Sequence, residues 1–89
     1  MSLIVCGLIS YRLQLASMTL AARLGENVRK AREAKGLSQE AFAEVSGLHR
    51  TYLSGIERGS RNPTVQVVER LAKALGVSAS DLFAGDQLL

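Results

Sequence analysis

Three arginines crowd into twelve positions of this chain. Arg50, Arg58 and Arg61 share that window with one acid, Glu57. A guanidinium there can take the O6 and N7 edge of a guanine in a bidentate grip, or neutralise a phosphate. Thr51, beside Arg50, offers a hydroxyl or a methyl to a base edge, and Ser54 follows one helical turn later on the same face. Gly55 is unusual, because glycine inside a helix costs about 1 kcal/mol relative to alanine. It either lets a duplex approach closely or permits a tight helix crossing. Arg50, Thr51, Ser54 and Gly55 are therefore the candidate base-reading set. Gln39, His49, Tyr52, Arg58, Ser60, Arg61 and Asn62 form the candidate phosphate set around it. Gln39 opens a helix, where free backbone N–H groups and the helix dipole attract an anion. Tyr52 either packs beneath its helix or donates to a phosphate. His49 either touches a phosphate or caps the helix weakly. Contacts of this second kind position a protein without reading sequence.

Other chemistry is thinly provided. His49 is the only histidine and Cys6 the only cysteine. No intrachain disulfide and no cysteine-based metal site can be built, and a reducing cytoplasm is the simple reading. Nucleophilic catalysis needs a positioned base and an orienting acid, for which the sequence supplies no set. No enzyme activity, metal or cofactor is expected. The net charge of +3 is mild and says little by itself. Its distribution says more, since residues from Val77 onward carry only Asp81 and Asp86 as charges.

The helices that carry these residues can be read from apolar spacing. At 89 residues the chain is one domain, near the lower size limit of independent stability, so dimerisation would help. A hydrophobic fraction of 47% with 21% charged residues fits a folded globule, and the absence of strand-like alternation predicts an all-α domain. Leu20, Leu24, Val28 and Ala31 form one stripe of a first helix over about 20–35, capped by Thr19 and stopped by Gly36. Ser38 caps a second helix over 39–46 with Phe42 and Ala43 inward, ended by Gly47. Leu48 anchors the turn, and a third helix runs over 50–58 with Leu53 and Ile56 inward. Pro63 breaks the chain, and Thr64 caps a fourth helix over 65–75 whose core face is Val68, Leu71, Ala72 and Leu75. Ser78 with Asp81 has the spacing of a capping box for a short fifth helix holding Leu82 and Phe83. The second and third helices, each about two turns long and joined across Gly47, have the spacing of a helix-turn-helix. Glu57 points away from Arg50, and its economical partner is Arg32 on the first helix, which makes both structural.

The run Leu48-His49-Arg50-Thr51-Tyr52-Leu53-Ser54-Gly55-Ile56-Glu57-Arg58-Gly59, followed by Ser60-Arg61-Asn62-Pro63-Thr64, resembles the Xre/Cro/phage-repressor family of helix-turn-helix regulators. It looks especially like the restriction–modification controller proteins. The resemblance covers roughly residues 24–83. It implies a compact, lambda-repressor-like five-helix bundle that binds an inverted-repeat operator in double-stranded DNA as a homodimer. It also implies a phosphate contact at Gln39, base contacts at Arg50 and Thr51, and a buried Arg32–Glu57 ion pair. His49 departs from the small capping residue common in the family. No small-molecule ligand is expected, because the chain ends soon after the fifth helix and leaves no room for a ligand-sensing or cleavage domain.

Residues 19–89 are read as the DNA-binding domain, with Leu82 and Phe83 as the expected dimer surface. Residues 1–18 are read as an extension, either a loose tail or an addition to a dimer interface. Its apolar run at 3–9 is far shorter than the ~20 residues of a membrane span. A protein-interaction adaptor or antitoxin-like partner of the same fold is the alternative function, and salt-dependent binding to duplex DNA separates the two.

Overall fold

The computed structural model describes residues 19–85, so the extension at 1–18, with its apolar run and Cys6, lies outside the described residues. Four α-helices and one short 3-10 helix follow in order: α1 Leu20–Ala34, α2 Gln39–Ser46, α3 Arg50–Glu57, α4 Val65–Leu75 and the 3-10 helix Ala79–Phe83. No helix among the described residues is long and apolar enough to cross a membrane.

α1, α2, α4 and the 3-10 helix each start where a side chain satisfies an orphan amide. The Thr19 hydroxyl accepts from the Ala22 N–H at 3.1 Å, Ser38 from Ala41 at 3.0 Å and Thr64 from Val67 at 3.2 Å. Ser78 accepts from the Asp81 N–H while the Asp81 carboxylate accepts from the Ser78 N–H, so the capping box is complete. The element that this box starts is not the α-helix expected. The five residues after Ser78 close with i to i+3 bonds, a short 3-10 helix, before the backbone extends at Ala84. Among the described residues the bundle therefore contains four α-helices and a 3-10 helix.

The core is one cluster built by Leu24, Val28, Phe42, Ala43, Leu53, Ile56, Val68, Leu71, Ala72, Leu75 and Leu82. The predicted inward faces of α2, α3 and α4 all lie in it. Leu20 does not: it is 59% exposed on the first turn of α1, on the wall of a surface groove and outside the core. Asn27 ties α1 to the 3-10 helix. Its Nδ2 donates to the Leu82 carbonyl at 2.9 Å and also to the Ala84 carbonyl.

The closest helix crossing falls at Gly25 on α1, buried against the C-terminal end of α3. A Cβ there would overlap the Ile56 carbonyl oxygen and stand 2.7 Å from the Glu57 carbonyl oxygen. Both are backbone atoms of a helix and cannot swing aside. Gly25→Ala should accordingly lower stability by about 1–3 kcal/mol despite alanine's better helix propensity. Urea unfolding measures this, and an unmoved midpoint would mean that α1 can ride away from α3 freely.

Candidate nucleic-acid interface

Gly47 sets the angle between α2 and α3. It takes φ +73°, a left-handed conformation open to glycine and strained for residues with a Cβ. The Leu48 N–H returns to the Ala43 carbonyl at 3.1 Å, and Leu48 packs on the core. The chain then enters α3 through His49, which has extended backbone at the N-cap and no side-chain hydrogen bond to the helix. The weak cap considered for His49 is therefore not formed. Its imidazole is exposed at the mouth of the turn.

The other end of α3 is fixed by a buried ion pair. Arg32 Nε donates to Glu57 Oε2 at 2.7 Å and Nη2 to Oε1 at 3.0 Å, with both residues 9% exposed. Arg32 Nη1 also donates to the Leu37 carbonyl at 2.7 Å, and Gln39 Nε2 to Glu57 Oε1 at 3.0 Å. One carboxylate thus joins α1 and the first residue of α2 to the last residue of α3. The hydrogen bond to Glu57 raises the Arg32 pKa above its ordinary value, outweighing the lowering by burial. A raised guanidinium pKa adds stability that is fully present below the unfolded value and lost only in strong alkali, so the cation persists at any physiological pH. Sequence spacing pointed to the Arg32–Glu57 pair. It did not point to the Gln39 amide, which spends one N–H inside the protein.

Between these two anchors lies the exposed face of α3. Arg50 and Thr51 are exposed in the first turn, and Ser54 is half-buried one turn on. Arg58 Nη1 donates to Ser54 Oγ at 2.6 Å, which lays that guanidinium back along the helix. Arg61 returns from the loop, its guanidinium carbon 5.7 Å from the centre of the Tyr52 ring. Asn62 is exposed beside it. The face also holds a residue that sequence spacing did not single out: Glu40 Oε1 lies 3.5 Å from Arg50 Nε, across the turn.

Two expected contacts are corrected. Gly55 is buried and offers no opening to a duplex. The space a Cβ would fill is taken by Arg61, whose Cγ and Nε would lie 2.7 and 3.1 Å from it. The tight helix crossing, the other role open to Gly55, belongs to Gly25. Ser60, unlike Gly55, stays exposed, but its hydroxyl is engaged: it donates to the Gly55 carbonyl at 3.1 Å, and the Ser60 N–H donates to the same oxygen at 3.0 Å. That bond helps close the end of α3 and has to be given up before the hydroxyl can donate to a phosphate.

A third correction concerns pairing. Leu82 is 1% exposed, in the protomer's own core, and can give nothing to a second copy. Phe83, half-buried, instead lines an apolar groove of about 300 Å³ with Leu20, Pro63 and Val65. Val65 is 79% exposed on its rim.

Comparison with known proteins places this geometry. The Helix-turn-helix family (HTH_3) matches residues 28–82. The control protein C.SmaI of Serratia marcescens is 49% identical over 65 residues, covering 73% of this chain and 77% of that protein. Among solved structures, the restriction-modification controller protein C.AhdI from Aeromonas hydrophila superposes with a TM-score of 0.68 at 44% identity, covering 71% of this chain and 96% of that one. The restriction-modification controller protein C.Esp1396I, as a tetramer in complex with its natural 35 base-pair operator, superposes with a TM-score of 0.67 at 42% identity. That match covers 75% of this chain and 88% of the other.

The Gly55–Arg61 packing has a measurable consequence. The added Cβ meets Arg61 first at Cγ, on the stem of the side chain, so Gly55→Ala must displace the arginine, a cost that offsets the about 1 kcal/mol gained in helix propensity and leaves stability little changed. It should still push the guanidinium off Tyr52. Duplex binding by Gly55→Ala should therefore fall as it does for Arg61→Ala, and the double variant should lose no more than either alone. Additive losses in a fluorescence-anisotropy titration would separate the two residues.

Proposed function

The chain belongs to the Helix-turn-helix family, in its Xre-like controller branch, and from that membership we propose that it is a DNA-binding transcriptional regulator. It recognises an inverted-repeat operator as a homodimer, with α3 in the major groove. The observation that carries this reading is the exposed face of α3, where Arg50 and Thr51 project from the first turn, the part of a recognition helix that meets base edges. Arg50, Thr51 and Ser54 read bases. His49, Tyr52, Arg58, Arg61 and Asn62 hold phosphates, together with the start of α2 at Gln39 and its remaining amide proton. Relatives such as C.SmaI are control proteins, which makes the control of restriction–modification genes the natural role. Such a protein works in the cytoplasm, on the nucleoid. Residues 19–89 form the binding domain, and the groove of Leu20, Pro63, Val65 and Phe83 is the pairing surface, since an apolar patch of this kind is covered in the working form.

Selection of bound duplexes from a randomised pool tests the reading and returns half-site, spacing and symmetry together. A chain that is folded and self-associated but prefers no duplex over scrambled competitor would instead be a protein-interaction adaptor. On the selected duplex, Arg50→Ala should cost about 1–3 kcal/mol and relax preference at one base pair. Arg61→Ala should weaken selected and random duplexes alike and reduce the salt slope by about one unit. Equal loss on all duplexes for Arg50→Ala would remove it from the base-reading set.

Pairing is tested separately. Val65→Asp places a charge in the groove and should weaken self-association in sedimentation equilibrium by about tenfold or more, the equivalent of about 1.4 kcal/mol. An unchanged dissociation constant would move the pairing surface elsewhere.

A further inference from the structure

Glu40 is out of place on a surface meant for phosphates. It is 75% exposed, follows Gln39 in the first turn of α2, and stands where an acid repels the backbone of a duplex. An acid in a first turn does gain from the helix dipole, but that gain needs no particular neighbour. Glu40 has one: its Oε1 lies 3.5 Å from Arg50 Nε, on the far side of the Gly47 turn. Arg50 is itself 62% exposed. Left alone, so exposed a side chain samples many rotamers, and each must be given up when it meets a base. A carboxylate on the Nε side of the guanidinium leaves the terminal Nη amino groups for the O6 and N7 of a guanine.

We infer that Glu40 is a specificity-determining positioning residue, which holds Arg50 in its base-reading orientation at some expense of affinity for the phosphate backbone. This role rests on the DNA-binding reading of α3. It gives Glu40 two effects of opposite sign. Its charge weakens binding to every duplex, and its contact with Arg50 sharpens the choice among bases. Simple repulsion would show only the first effect, and a purely structural role for Glu40 would show neither.

The test uses the full chain and duplexes selected by it from a randomised pool, with each base substituted in turn at the position whose preference Arg50→Ala abolishes. Affinities are measured at fixed salt for Glu40→Ala, Glu40→Gln, Arg50→Ala and the Glu40→Ala/Arg50→Ala double variant. Glu44→Ala, an equal charge change at an exposed site one turn further along α2, is the control. Glu40→Ala should bind random duplex more tightly than the parent, yet discriminate about three- to fivefold less at that base pair, the range open to an exposed ion pair. Glu40→Gln, which keeps an acceptor oxygen but no charge, should recover part of the discrimination. Glu44→Ala should tighten random binding without touching discrimination. In the Arg50→Ala background, Glu40→Ala should change discrimination no further. Unchanged discrimination in Glu40→Ala, an equal loss in Glu44→Ala, or additivity with Arg50→Ala would overturn the inference. A parent chain that selects no duplex would overturn the DNA-binding reading itself, a separate and prior result.

Discussion

The Arg32–Glu57 ion pair is the constraint on which the rest of the structure hangs. It is bidentate, almost wholly buried, and supplemented by the Leu37 carbonyl and the Gln39 amide. Two charges taken out of water are costly, and such a pair is tolerated only when its remaining hydrogen-bonding capacity is met, as it is here. Removing one partner from such a pair commonly costs about 3–5 kcal/mol, a large share of the about 5–15 kcal/mol that holds a domain together. The pair is therefore a weak source of net stability and a strong source of uniqueness: few other dockings of α1, α2 and α3 would satisfy Glu57. Because Glu57 ends α3, the lock sits at the opposite end of the helix from Arg50. Gly25 completes it by letting α1 lie directly on the backbone of that same end.

A helix held so firmly at one end can present side chains at the other with little loss of freedom on binding. The exposed arginines are also individually restrained: Arg58 by Ser54, Arg61 by Tyr52 and the notch at Gly55, Arg50 by Glu40. Each restraint is worth little in solvent, on the order of 0–1 kcal/mol. Together they bias long, rotamer-rich side chains toward the surface where phosphates and base edges are expected, which lowers the ordering cost of association. The design is rigid scaffold first, weakly guided cations second.

Much of this was legible in the sequence wherever the cause is local. Thr19, Ser38, Thr64 and Ser78 cap the elements they precede, and the bounds of α2 and α4 follow from their caps and stopping glycines, because caps act within three residues. The Arg32–Glu57 pair was also legible, since spacing put the acid on the side of α3 away from Arg50. Most of the misreadings are facts of packing. Periodicity put Leu20 in the stripe of α1, but it lies on the wall of an open groove and not in the core. Leu82 and Phe83 are adjacent, yet one fills the core and the other lines a groove, because a 3-10 turn points consecutive side chains apart. Gly55 and Gly25 are both glycines inside helices. Only the fold tells which of them faces a backbone and which an arginine. Ser60 is polar and comes after a recognition helix, but no local rule announces that its proton is already committed to Gly55.

Pairing at the apolar groove, as proposed, would bind pairing to recognition. Pro63 and Asn62 belong both to the loop that carries Arg61 and to the rim where Leu20, Val65 and Phe83 gather. A second copy seated there would press on the segment that presents the flanking cations. The spacing between two recognition helices, about 34–36 Å for successive half-sites, would then be set by the same few residues that grip the phosphates. A lone domain with a handful of exposed arginines has only salt-sensitive, sequence-tolerant attraction for a duplex. Doubling it through a rigid contact turns two weak readings into one demanding a fixed separation and a two-fold axis. Specificity in so small a protein is in that way a property of the paired assembly, with the buried lock on α3 as its reference point in each half.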